Sequence, residues 1–270
     1  MKEYIFIEGK KVTESIPLRS LFYGEGLFET FRYKNSLPVS IDSHLDRMDM
    51  GASLLKIPIP ERGYLIELIE DAIMQSQISD AYVKICLLSG GDSSFYKPAE
   101  RSQLLVIIKE YASPHQSVRL KINSFTRISG SPLSRIKSLN YLENILARRE
   151  AQDAGFDDSL FFNEMGEICE CSASNIFWYK GNTLYTPSFD CGLLPGTTRA
   201  NILKLAKVNN LSTSEGSFFL DDIKCAEIVF ISNSLIGCTP VSSLEGVTFD
   251  INQKEFKRIK NELLYSLKWT

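Results

Sequence analysis

Apolar residues in this chain switch repeatedly between the two-residue repeat of strands and the three-to-four-residue repeat of helices. They do so on both sides of one polar break, "ASPHQS" at 112–117. Before the break, strand-like runs stand at Glu3–Glu8 and Leu27–Tyr33, and Lys34-Asn35 reads as a turn folding the second run onto "SLPVSI" as a hairpin. Ile41, Leu45, Met48, Ala52 and Leu55 share one helical face, with Asp42 or Ser43 as cap. A second helix, 63–76, repeats the spacing through Leu65, Leu68, Ile69, Ala72 and Ile73, and "YVKICLLSG" and "QLLVIIKEY" return to strand. After the break come a strand (118–125), a helix (139–153) and short strands near 158–162, 167–170, 174–179 and 183–186. A helix from Thr197 to Val208, the strand "AEIVFISN" and a last helix at 252–267, with Phe256, Ile259 and Leu263 inward, complete the pattern. Mixed elements in each half predict an α+β chain of two lobes, a small one at 1–113 and a larger one at 114–270.

Composition narrows the chemistry. Among 270 residues the net charge is −3, so no basic surplus is available to hold a nucleic-acid backbone. No apolar run reaches membrane-span length. "MKEYIFIEGKK" lacks the apolar core and cleavage site of a signal peptide, so a cytoplasmic location is expected. The six cysteines, at 86, 169, 171, 191, 225 and 238, form no CxxC pair, and the only histidines are His44 and His115. That predicts buried free thiols and no metal site, and it leaves little for a histidine-based triad. Lysine or a cofactor is then expected to carry any catalysis.

Four stretches could carry it, and each has an ordinary structural reading beside the chemical one. In "RIKSLNYLENILARRE", Lys137 stands ahead of a helical stripe of Leu139, Leu142, Ile145 and Leu146. A lysine held at a helix start, where positive charge is disfavoured, is a neutral amine that can attack a carbonyl; otherwise it is a solvated surface group. In "LLPGTTRANILKLAK", Pro195-Gly196 turns the chain, and Thr197 and Thr198 open a helix whose free N–H groups suit a phosphate; otherwise they are common caps. In "VFISNSLIGCTPV" an apolar strand ends in Ser232-Asn233-Ser234, either ligand contacts or a polar turn. In "GEICECSASNIFW", Glu170 is either an inward carboxylate, which needs a cationic partner, or an exposed strand residue. Together, a lysine, a phosphate-holding helix start, a hydroxyl-bearing strand end and a lone carboxylate are what pyridoxal phosphate requires.

At these residues the chain resembles the fold-type IV pyridoxal-phosphate enzymes: branched-chain and D-amino-acid aminotransferases and aminodeoxychorismate lyase. "YGEGLFETFR", "HLDRM", "IKSLNYLENILARRE", "GEICECSASNIFW", "LYTPSFDCGLLPGTTRANI" and "FISNSLIGCTPV" carry the likeness in order along nearly the whole chain. The resemblance implies a two-lobed fold with the cofactor in the cleft between lobes, and a homodimer whose partner chain completes each site. It implies that Lys137 bonds the cofactor, Glu170 partners the pyridine nitrogen and Leu194 packs on the ring. Arg47, Thr197, Thr198 and Ser234 match phosphate-binding positions.

The resemblance to "SNSLIG" and "GLFETFR" favours the lyase, which would convert 4-amino-4-deoxychorismate to p-aminobenzoate and pyruvate for folate synthesis. It places Asn233 and Glu29 among the substrate-binding positions, with Lys84, Lys97 and Arg101 in the region where the substrate's carboxylates would be met. The alternative is a D-amino-acid or branched-chain aminotransferase that needs a 2-oxo acid acceptor.

Overall fold

The computed structural model describes residues 6–8, 10–11, 16–113 and 115–269. A two-stranded ribbon, β1 (Phe6–Ile7) and β2 (Lys10–Lys11), precedes the helix α1 (Leu18–Tyr23). Next come β3 (Gly26–Lys34), α2 (Ile41–Leu55), α3 (Arg62–Ser76), β4 (Asp80–Gly90) and β5 (Arg101–Glu110). β3, β4 and β5 form one antiparallel sheet. Strand side chains alternate between faces, so the sheet sorts its own residues. Leu27, Phe31, Val83, Ile85 and Leu87 are buried with Leu45, Met48, Leu65, Ile69 and Ile73 of the two helices. Phe28, Thr30, Tyr82 and Lys84, of opposite parity, face the second lobe. α2 crosses close to β3 because Gly51 has no side chain; a Cβ there would sit 2.7 Å from Leu27.

The second lobe runs β6 (Val118–Ile122), α4 (Leu142–Asp153), β7 (Asp158–Phe162), β8 (Ile168–Cys171), β9 (Asn175–Lys180), β10 (Thr183–Pro187), α5 (Thr197–Val208), β11 (Ser212–Gly216) and α6 (Leu220–Lys224). It ends with β12 (Ile228–Asn233), β13 (Gly237–Leu244), β14 (Val247–Thr248) and α7 (Lys254–Ser266). Its sheet has the order β11-β10-β9-β12-β13-β6-β7-β8, with β14 beside β13. On one face Phe177, Phe230 and Leu184 pack under Ile202, Phe256, Ile259 and Leu263 of α5 and α7. On the other, Leu160, Ile168, Ile176, Trp178, Ile231 and Val241 share a single core, so the sheet wraps around itself. Burial on both faces explains why the β12 run from Ile228 to Ile231 is apolar throughout.

Several expectations differ from the structure. "SLPVSI" makes no strand: Asn35 turns the chain at φ 56°, but Pro38 has no N–H for a ladder, and β3 pairs instead with β4 along its whole length. The helix expected from 139 begins at Leu142, and its stripe faces outward. Leu142, Ile145 and Leu146 are 64%, 40% and 47% exposed, while Ala147 and Ala151 face the core. α1, β11, α6, β13 and β14 had no clear sequence signal. Of the expected first strand, Phe6–Ile7 is present, and residues 3–5 lie outside the described residues. The thiols are free; five are buried, but Cys225 is exposed.

Candidate active site

A cavity of about 580 Å³ opens between the lobes. Its walls come from β3 and β4 on one side, and from the segment before α4, β8, the start of α5 and the turn after β12 on the other.

Lys137 reaches it from an extended segment rather than from a helix start. Phe28 N donates to Lys137 O at 2.9 Å, Leu139 N donates to Gly26 O at 2.9 Å, and Ser138 bridges Leu27. This short ladder fixes the lysine against β3. Its Nζ lies 4.5 Å from the Phe28 ring centroid and 5.5 Å from that of Tyr141. Burial, helped by the Arg47 charge and opposed by Glu29 and Glu170, lowers its pKa to about 8. That leaves roughly a tenth to a quarter of the amine neutral near physiological pH, far more than an ordinary lysine offers, and the neutral form is the nucleophile.

Glu170 faces the cavity from β8. Arg127 Nη1 donates to its Oε1, while Asn175 Nδ2 (3.1 Å) and Leu194 N (3.2 Å) donate to its Oε2. Burial pushes this carboxyl upward in pKa, and Arg127 opposes the shift. The neighbouring thiols Cys169 and Cys171 are buried, which raises their pKa values and leaves them inert packing groups.

The third corner is the start of α5. Gly196 caps the helix with no side-chain hydrogen bond, and Thr197 and Thr198 are buried in the cavity wall. A Cβ on Gly196 would fall 2.0 Å from Asn175 Oδ1, so only glycine lets the turn pass this close. Arg47 reaches across from α2, its Nη1 donating to Pro195 O at 2.8 Å. Ser234 Oγ donates to Thr30 O at 2.6 Å, tying the turn after β12 to β3. Ser232 Oγ is buried in the same wall without a hydrogen-bond partner among the described residues. This set fits pyridoxal phosphate: an amine for its aldehyde, a buried carboxylate for its ring nitrogen, and a helix start with hydroxyls and a guanidinium for its phosphate.

Two expected substrate contacts are placed differently. Glu29 shares the parity of Leu27 and Phe31, so it turns toward α2 and away from the cavity. Arg47 donates to both its oxygens, Nε to Oε1 at 2.7 Å and Nη2 to Oε2 at 2.6 Å. Asn233 borders the cavity, but its amide is fully used. Nδ2 donates to Ala173 O and Ser174 Oγ, and Oδ1 accepts from Leu235 N and Ile236 N. An amide has two donors and two acceptor lone pairs, so nothing remains for a substrate. Of the three cations considered for carboxylates, Lys84 lines the cavity, with Nζ 4.3 Å from the Phe28 centroid. Lys97 pairs with Asp92 at 2.5 Å on a loop outside it, and Arg101 is not in its lining. Arg127, Asn175 and His44 escaped the sequence reading. The one available signal for Arg127 was the requirement that an inward Glu170 have a cation beside it.

Known proteins share this framework. Residues 26–244 match the family model described as amino-transferase class IV. An aminodeoxychorismate lyase of Bacillus subtilis (strain 168) is 29% identical over 258 residues, 91% of this chain and 88% of that protein. A putative branched-chain-amino-acid aminotransferase of Methanocaldococcus jannaschii is 28% identical over 272 residues, covering 97% and 94%. A solved putative 4-amino-4-deoxychorismate lyase from Legionella pneumophila superposes with a TM-score of 0.90 at 32% identity, covering 96% of this chain and 98% of that one. The chain therefore belongs to the class IV aminotransferase family of pyridoxal-phosphate-dependent enzymes, and its α+β architecture is that of fold type IV.

Proposed function

We propose that this protein is a lyase converting 4-amino-4-deoxychorismate to p-aminobenzoate and pyruvate, a step toward folate. The observation that carries this reading is the pair of amines flanking Phe28. Lys137 and Lys84 lie 4.5 Å and 4.3 Å from its ring centroid, inside one cavity. The substrate has two carboxylates as well as an amine, so a second cation beyond the nucleophilic lysine suits it. A branched-chain amino acid would ask for an apolar wall where Thr30, Tyr82 and Lys84 stand.

The chemistry supplied by the bound cofactor is an electron sink beside the substrate amine. The remaining work falls to side chains. Lys137 anchors the cofactor and, once released as a neutral amine, carries the proton leaving the substrate carbon. Glu170, itself positioned by Arg127 and Asn175, keeps the ring nitrogen protonated. Arg47, Thr197 and Thr198 hold the phosphate, joined by the backbone N–H of Ser234 because that residue's hydroxyl already donates to Thr30 O, and Leu194 packs against the ring. Lys84 receives a substrate carboxylate. A homodimer completes the site: the outward Leu142, Ile145 and Leu146 form an apolar face on α4, and Leu142 also borders the cavity mouth.

The test is product formation from 4-amino-4-deoxychorismate by the pyridoxal-phosphate-loaded protein with no 2-oxo acid added. p-Aminobenzoate and pyruvate should appear in equal amounts, and Lys137→Ala should abolish both. Absence of both products, with amino transfer from D-alanine or a branched-chain amino acid to 2-oxoglutarate, would replace the lyase with an aminotransferase.

A further inference from the structure

His44 lies outside the cavity lining and is fully buried. It sits one turn before Arg47 on α2 and packs against the Phe31 ring, with centroids 5.6 Å apart. Its Nδ1 is 2.6 Å from Glu29 Oε2, and its Nε2 is 3.2 Å from Thr197 Oγ1. Burial alone would raise the Glu29 pKa, but the charge and hydrogen bonds of Arg47, joined by His44, bring it down to about 2. Glu29 is therefore an ionised, accept-only group, and His44 Nδ1 must carry a hydrogen.

That leaves the state of Nε2. With a neutral ring, Nε2 is an acceptor, so the Thr197 hydroxyl must donate to it. The hydroxyl then offers only lone pairs to the cavity. With a charged ring, Nε2–H donates to Thr197 Oγ1, and the hydroxyl proton is free to turn toward the cavity. Phosphate oxygens accept hydrogen bonds, so only the second arrangement lets the Thr197 hydroxyl, as distinct from its backbone N–H, donate to a bound phosphate. Among the described residues, His44 hydrogen-bonds Glu29 on β3 and the Thr197 hydroxyl on α5; Arg47, on its own helix, shares Glu29 with it, and the Lys137 amine lies close enough to interact with both Glu29 and Arg47. A phosphate dianion at the start of α5 would add negative charge on the Nε2 side of the ring, opposite the Glu29 carboxylate on the Nδ1 side.

We propose that His44 is the positioning residue for the Thr197 hydroxyl, and that binding of the cofactor's phosphate is coupled to uptake of a proton on His44. The coupling runs through hydrogen bonds already present between the lobes, Glu29–His44 from the first and His44–Thr197 into the second. It rests on reading Thr197 as a phosphate contact.

The chain has two histidines, and His115 lies exposed in the connection between lobes, so His115→Gln leaves a single imidazole to observe. The apo-protein carrying that change is labelled with 15N-histidine and titrated with pyridoxine 5′-phosphate. That probe has the phosphate but no aldehyde, so Lys137 stays unreacted; pyridoxine is the control. The His44 Nε2 resonance should move from an acceptor to a protonated nitrogen with pyridoxine 5′-phosphate and not with pyridoxine. Adding Thr197→Val should abolish the movement. Where His44 is otherwise neutral, wild-type affinity should weaken toward about tenfold per pH unit more steeply than in His44→Asn, which keeps a donor for Glu29 and loses Nε2. Ligand binding that shifts the Thr197 and Thr198 amide signals while Nε2 remains an acceptor overturns the coupling and leaves the phosphate site standing. Failure of pyridoxine 5′-phosphate to bind at all sinks both.

Discussion

Glu170 would be unaffordable in its wall without Arg127, because a carboxylate this buried must share its charge. Arg127→Met leaves it without that cation, and the apo-protein should lose roughly 3–5 kcal/mol in urea unfolding at neutral pH. At Lys137 the sign of the pH effect follows from the free amine being the nucleophile. With a pKa near 8, borohydride-trapped labelling by pyridoxal should rise up to that pH and level off above it, whereas exposed lysines should keep gaining reactivity toward their ordinary, higher pKa. A profile at Lys137 that climbs without a plateau contradicts the lowered pKa. If the protein is the proposed lyase, Lys84→Met removes a charge-assisted contact to a substrate carboxylate worth roughly 1.5–3 kcal/mol, so KM for 4-amino-4-deoxychorismate should rise about tenfold or more with a smaller change in kcat. The residues legible in the sequence are those whose chemistry demands a type: an amine, a carboxylate, hydroxyls at a helix start. Arg127, Asn175 and His44 were not legible. Each acts by holding another residue, and that depends on which strands and helices meet.

Elements were read well where periodicity and burial agree. α7 buries the expected Phe256, Ile259 and Leu263, and α5 spans the expected Thr197–Val208. They were misread where a local signal points away from the tertiary outcome. Pro240 sits inside β13, opposite Phe230, and interrupted an otherwise strand-like run. The α4 stripe has helical spacing, but spacing does not say which surface receives it. The α5 start depends on the opposite rule, a missing side chain. In Gly196→Ala the methyl must displace Asn175, whose Nδ2 also donates to Leu194 O at 3.0 Å. Loss of two such bonds, at about 1 kcal/mol each, should weaken pyridoxal phosphate binding at least about tenfold in an absorbance titration. Undiminished affinity would show that the turn can relax without Asn175.

For the whole molecule, the outward face of α4 predicts the assembly state. In the proposed homodimer, Ile145→Glu with Leu146→Glu should leave secondary structure intact and shift sedimentation from dimer to monomer; an unchanged dimer would place the interface elsewhere, and a monomeric wild type would sink the homodimer itself. The role of β3 as common support has a consequence in time. Hydrogen bonds from it or its neighbour α2 reach Pro195, Thr197 and Ser234 across 148, 153 and 204 positions of chain. A polypeptide still emerging from the ribosome can complete the first lobe and yet own only half of each of these contacts. Closures over such spans come late in folding. Cofactor capture thus works as a finishing stamp: during synthesis or refolding, the colour of the lysine-bound cofactor should appear only after the last strands have joined, marking the finished chains.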